Sequence, residues 1–209
     1  MNSKFPGFLF SVEGIDGSGK STFVKNLHER LASHFEVVLT REPGGSELGK
    51  QIRTILQNQP TQMTAKAQFL LFASDRAQHF HEKIIPALKA GKIIISDRMA
   101  DSSLVYQGIL QGLDLNTLKS INRWCMETIE PHATFYLKID AKSALDRMYS
   151  REQEITEFEK QIIASKEILS NGFDQIFESK DNVYTLDATL SPEELVDQAY
   201  KIIKSICLT

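Results

Sequence analysis

A glycine-rich turn near the N-terminus limits how this chain can fold more than any other feature. The stretch VEGIDGSGKST, Val12–Thr22, follows a short apolar run, Phe8–Glu13, and leads into Lys20–His34, where Phe23, Leu27 and Leu31 recur at i, i+4 and i+8. A strand, a tight turn and an amphipathic helix are therefore expected in succession. Gly14-x-x-x-x-Gly19-Lys20-Ser21 has the spacing of a phosphate-binding P-loop. Such a loop points its backbone N–H groups at a phosphate held at the helix N-terminus, and a Cβ on its glycines would obstruct both the turn and the anion. Gly14, Ile15, Asp16, Gly17, Ser18, Gly19, Lys20, Ser21 and Thr22 are the expected nucleotide contacts, with Lys20 on the β/γ oxygens and Ser21 on Mg²⁺. The G-x-G-x-x-G spacing of a dinucleotide fold is absent. Asp16 is out of place on this reading, because a carboxylate in the loop repels phosphate unless it faces a cation or a hydroxyl donor.

Strand-like runs recur at Phe8–Glu13, Glu36–Thr40, Lys92–Ser96, Thr134–Ile139 and Val183–Leu186, separated by stretches of helical period. The alternation predicts an α/β fold, a five-stranded parallel sheet with helices on both faces. Helices are expected over Glu47–Gln57, Ala65–Ala90 with a break near Pro86, Asn116–Ile129, Ala141–Ser150 and Glu157–Glu178. A last one opens on Ser191-Pro192-Glu193-Glu194, which offers an N-cap, a proline at N1 and a capping-box glutamate. Ligands of such sheets bind beyond the carboxyl ends of the strands, and the residues with chemical capacity fall there. They are Arg41 and its neighbours after the second run, Asp97-Arg98 after the third and Asp187-Ala188-Thr189 after the fifth. Asp97, following the apolar KIIIS, reads as a Walker-B carboxylate that holds the Mg²⁺ shell.

With 209 residues, 42% hydrophobic and 24% charged, the chain is expected to form one domain over 1–209. A net charge of −3 does not suit a nucleic-acid surface. Cys125 and Cys207 are far apart, which gives neither a disulfide framework nor a zinc site and fits a reducing cytoplasm. No apolar run approaches the roughly 18 residues of a membrane span, and the N-terminal apolar stretch, broken by Pro6, is too short for a signal peptide. His79 and His81, two apart on a helix, point to different faces and are expected to be exposed polar residues rather than metal ligands.

TREPGG (Thr40–Gly45), LLFASDRAQH (Leu70–His79), DRMADSSLVYQG (Asp97–Gly108) and LDAT (Leu186–Thr189) follow the P-loop in an order and spacing that resemble bacterial thymidylate kinases over nearly the whole chain. The resemblance implies transfer of the γ-phosphoryl of Mg-ATP to dTMP, giving dTDP and ADP for dTTP synthesis. It also implies a cytoplasmic homodimer of P-loop kinase fold with a short lid at about 151–165. Carried onto this chain, it makes Arg41, Arg53 and Arg98 acceptor-phosphate ligands, stacks Phe72 on thymine and sets Arg76 at a thymine carbonyl. Ser103 resembles the polar contact to the base, a role Ser102 could share, and Tyr106, next to Gln107, the residue that crowds the sugar 2′ position. Arg147 and Ala188 fall to ATP, while Asp16 turns toward the acceptor, to its 3′-hydroxyl or a hydrated Mg²⁺. The chemistry agrees, since a loose transition state needs cations and positioning more than it needs a base.

The chain departs from the resemblance in two places. The P-loop carries no arginine, and the region expected to hold a basic lid, Arg151–Ser170, has three cations, Arg151, Lys160 and Lys166, against five glutamates. Weight therefore falls on Arg147 and Arg151 to join Lys20, Asp97 and Arg98 in catalysis. Met99 stands where the family generally has an aromatic residue or histidine. A kinase for a related acceptor and a degenerate nucleotide-binding paralogue remain alternative readings, whereas no N-K-x-D motif supports a GTPase switch.

Overall fold

The computed structural model describes residues 5–58, 62–150 and 163–208. At its centre is a wholly parallel five-stranded sheet of order β2-β3-β1-β4-β5, formed by β1 Phe8–Glu13, β2 Val37–Arg41, β3 Ile93–Asp97, β4 Ala133–Lys138 and β5 Val183–Asp187. Every strand expected from the alternating pattern is present, shifted at either end by one residue at most. β1 and β3 pair Leu9 with Ile94 and Phe10 with Ile95, and successive side chains leave opposite faces. Leu9 and Ile94 pack with Phe80, Ile84, Leu88 and Met99, whereas Phe10, Val12, Ile93 and Ile95 pack with Phe23, Leu27, Leu31 and Ala199. Both faces are covered, which is why the central strands read as largely apolar runs rather than alternating ones.

The first helix, α1 (Lys20–Ala32), buries the expected Phe23, Leu27 and Leu31. α2 spans Glu47–Asn58 and α3 Ala65–His79, the latter capped by Thr64, whose side chain accepts from Ala67 N–H at 3.3 Å. The break expected near Pro86 is a π-helical turn just before it, Phe80–Ile84, and Pro86 lies in the first turn of α4 (Ile85–Lys89). A wider turn relieves the clash between a proline ring and the carbonyl four residues back. α5 (Ala100–Ser103), continued by π-helical Leu104–Leu110, had no counterpart in the sequence reading. α6 runs over Leu115–Cys125, short of the expected Ile129, because Glu127 and Thr128 adopt positive φ of 49° and 63°. α7 covers Ala141–Ser150, α8 Lys166–Phe177 after a 3₁₀ turn at Ile163–Ser165, and α9 Pro192–Cys207. The capping box at Ser191 and Glu194 is formed as expected. Most of the expected lid, 151–162, lies outside the described residues. No described helix is long and apolar enough to cross a membrane.

Candidate active site

β1, β2 and β3 each end at a cleft of about 600 Å³, where the loops that follow them converge. Gly14, Gly17 and Gly19 turn the first loop at φ of 146°, 91° and 92°, in or near the left-handed region that only glycine enters without strain. Gly17 has a second reason to lack a Cβ, which would lie 2.2 Å from the Ala144 carbonyl oxygen of α7. Gly19 precedes α1, so the first amides of that helix face the cleft. Lys20 lies in the helix's first turn, and its Nζ donates to the carbonyls of Gly14 at 3.0 Å and Ile15 at 2.8 Å. Burial, followed by the nearby Arg98 charge, lowers the Lys20 ammonium to about 8. Asp16, Gly17, Gly19, Lys20, Ser21 and Thr22 line the cleft, while Ile15 and Ser18 are buried beneath it.

Ser21 Oγ donates to Asp97 Oδ2 at 3.5 Å, and the other Asp97 oxygen is buried with no partner among the described residues. A hydroxyl and a carboxylate with spare acceptor capacity at a phosphate loop form an oxygen donor set that fits Mg²⁺.

Arg98 follows β3 with φ 69°, an uncommon backbone state for a residue with a Cβ. It is held there by its N–H donating to Val12 O at 2.9 Å and by Ser96 Oγ donating to its carbonyl at 2.8 Å. Its guanidinium donates to Gly14 O and Ser102 Oγ, both at 2.9 Å, and to the Asp16 carboxylate. The Tyr106 hydroxyl donates to the other Asp16 oxygen at 3.2 Å. Asp16 therefore has both the cation and the hydroxyl donor that its position demands. Burial alone would raise its carboxyl, but Arg98, Lys20 and Lys166 outweigh burial and hold it well below the usual range. Burial likewise opposes the Arg98 charge, and Tyr106, Asp16, Glu13 and Asp97 more than compensate.

Two residues that the sequence reading did not single out support this corner. Glu13, fully buried at the end of β1, accepts from Met99 N–H at 2.8 Å and from Ser102 Oγ at 2.6 Å, so it fixes the turn that aims Arg98. Burial, then repulsion from Asp101, lifts its carboxyl to about 7. Lys166, counted only among the cations after α7, is 1% exposed and donates from Nζ to the Asp16 carbonyl at 2.6 Å. A charged residue ending an otherwise apolar strand was the available signal for Glu13, whereas nothing local marks Lys166 as buried.

On the acceptor side, Arg41, Arg53, Phe72, Arg76, Ser102, Ser103, Tyr106 and Gln107 share the cleft wall. Arg53 donates to Pro43 O at 3.0 Å, and burial and then the Arg41 charge lower its guanidinium. Cations close enough to repel one another form a site for an anion. Phe72, one helical turn before Arg76, is half-buried at the wall and not part of the core clusters. Arg76 is 1% exposed and donates to Glu42 at 2.8 Å, Asn122 Oδ1 at 2.7 Å and Ser103 Oγ at 3.3 Å. Gln107 is buried, and its Nε2 has no partner among the described residues. Met99, 2% exposed, lies at the cleft and packs into the core beside it.

His79 corrects an expectation: it is fully buried, with Nδ1 donating to Glu42 at 3.0 Å and Nε2 pairing with Thr40 Oγ1 at 2.7 Å, whereas His81 is exposed. Its face of α3 meets β2 and the following loop, a long-range contact that helical spacing cannot reveal. On the donor side, Arg147 lines the cleft near Gly19 and donates to Ala188 O at 2.9 Å. Ala188 is buried behind it, and Arg151 lies outside the described residues.

The likeness to known proteins extends over most of the chain. The family model described as thymidylate kinase matches residues 12–199. The chain is similar to the thymidylate kinase of Halothermothrix orenii, 40% identical over 205 residues, covering 97% of this chain and 98% of that one. It is also 39% identical to that of a Geobacillus species over 193 residues, 90% and 92% of the two chains. A third relative, from Staphylococcus haemolyticus, is 35% identical over 196 residues, 93% and 96%.

Proposed function

The chain belongs to the thymidylate kinase family, and on that premise we propose how its cleft divides between two substrates. As a dTMP kinase of the P-loop fold, it transfers the γ-phosphoryl of ATP to dTMP, giving dTDP and ADP for dTTP synthesis. The observation that carries the division is that Arg98, paired with Asp16, is close enough to act both on Lys20 of the P-loop and on Arg53, which in turn feels Arg41, so the Asp16–Arg98 pair is common to the two sets of cations. ATP takes the P-loop, Arg147 and the Ala188 region. dTMP takes Arg41, Arg53 and Arg98 through its phosphate, Phe72 by stacking, and Arg76, Ser103 and Gln107 through its base. Tyr106 and Asp16 face its sugar. Mg²⁺, held by Ser21 and Asp97, would neutralise charge on the transferring phosphoryl.

A dianionic acceptor phosphate is already a nucleophile, so the protein's own work is to hold two anions together against their repulsion. Arg53 and Arg98, half-buried and hydrogen-bonded at the cleft wall, and the buried Lys20 ammonium do so with little reorganisation as charge shifts. The proposed assembly is a cytoplasmic homodimer through α2, α3 and α6. These helices pack in series and expose Leu48, Ile55, Leu70 and Trp124.

Steady-state kinetics test the division. Lys20→Ala is expected to abolish transfer, while Phe72→Ala and Arg41→Ala raise KM for dTMP and leave KM for ATP nearly unchanged. A rise in both constants together would contradict it.

A further inference from the structure

Beneath the acceptor side lies a cluster that no phosphate-binding motif requires: Glu42, Asp75, Arg76, His79 and Asn122, each at most 3% exposed. Glu42 accepts from Arg76 Nε through Oε2 at 2.8 Å and from His79 Nδ1 through Oε1 at 3.0 Å. His79 is tied in turn to Thr40 of β2 at 2.7 Å, and a Cβ on Gly45 would lie 2.3 Å from its ring, so the loop after β2 rests directly on α3. Asp75 accepts from Gly44 N–H at 3.0 Å and fastens the same loop a second time. Burying an ion pair of this kind does not by itself stabilise a fold, because desolvation offsets the attraction. Its effect is geometric. Arg76 has five N–H groups; Glu42, Asn122 and Ser103 engage three of them, and the guanidinium lines the cleft with its plane fixed.

We propose that Glu42 is a positioning residue for acceptor specificity, whose single carboxylate sets the base-reading Arg76 and the loop that follows Arg41 as one unit. The inference rests on the assignment of Arg76 to base recognition made above. An arginine can only donate, so held at one angle it accepts a ring carbonyl and rejects an amino group at the same place. Freed from Glu42, it could swing and lose that distinction.

A double-mutant cycle on the full chain tests this, with Glu42→Gln, Arg76→Gln and the pair assayed for kcat and KM with dTMP, dCMP and ATP. Glu42→Gln is expected to raise KM for dTMP about 10- to 100-fold, the usual cost of a lost charge-assisted hydrogen bond. KM for ATP should stay within about twofold and the dTMP-over-dCMP ratio of kcat/KM should narrow. In the Arg76→Gln background the same change should add little. His79→Leu, which removes the donor on Oε1 together with the contact to Thr40 but leaves Arg76 bonded to Oε2, should move KM for dTMP the same way by less, and it replaces Glu42→Gln in the cycle should thermal melts show that variant unfolded. Additive losses, or equal losses for dTMP and ATP, would overturn the positioning role. If Arg76→Gln alone left dTMP binding and the dTMP-over-dCMP ratio unchanged, the base-reading assignment itself would fall.

Discussion

Asp16 keeps a negative charge inside a phosphate-binding turn because Arg98 and Tyr106 both face it. Asp16→Asn removes the ionic partner of Arg98, and KM for dTMP is expected to rise about tenfold with a smaller change for ATP, as for a lost charge-assisted hydrogen bond. Steady-state titration of each substrate checks this, and equal changes would place Asp16 on the nucleotide side instead. Glu13 makes a prediction in pH. Its carboxyl rises from an ordinary 4.5 to about 7 in the fold, so the folded state binds more protons between those values and stability falls as pH rises through them. Asp75, raised to about 6 by burial and then by Glu42, acts with the same sign in the lower part of that window. Glu13→Gln should remove most of this slope, on the order of 3 kcal/mol once Glu13 is ionised, in denaturant melts run between pH 5 and about 8. An unchanged slope would mean that Glu13 ionises as it does in water.

The P-loop and α7 meet so closely at Gly17 that the turn and the helix act as one element. Gly17→Ala would both strain φ and drive a methyl group into the Ala144 carbonyl, so it should weaken ATP binding and lower the melting temperature together. Retained ATP affinity at an unchanged melting temperature would show that the loop moves independently of α7. α1 holds the sheet through Leu27, which is fully buried, and Leu27→Ala should cost about 2–5 kcal/mol in denaturant unfolding. At this scale periodicity was a good guide wherever burial is local. It gave five strands and α1, and capping chemistry gave the start of α9. It failed at α5, whose short turn and π-helical continuation have no 3.6-residue repeat, and at the end of α6, where the positive φ of Glu127 and Thr128 falls on residues not known for it. The side chains proposed to touch phosphate or base were legible because motif spacing carries them. Glu13, Glu42, His79, Asn122 and Lys166 were not, because their partners lie 22 to 150 residues away in the chain.

For the molecule as a whole, the sheet order places three loop ends at one cleft, and the packed helices α2, α3 and α6 leave Leu48, Ile55, Leu70 and Trp124 exposed by 45%, 44%, 55% and 80%. Apolar groups set this openly on neighbouring helices suit a homodimer. Sedimentation velocity should show twice the 23.6 kDa chain mass, reduced to the single-chain value by Leu70→Glu with Trp124→Glu. A monomeric wild type would remove the dimer from the proposal without touching the cleft. The central claim is most directly tested by the acceptor itself: the purified protein with Mg-ATP and, in parallel, dTMP, dUMP, dCMP, dGMP and thymidine, with product followed by chromatography. Formation of dTDP with kcat/KM highest for dTMP is the expected result. Preference for another acceptor, or hydrolysis of ATP with no transfer to dTMP, would contradict it.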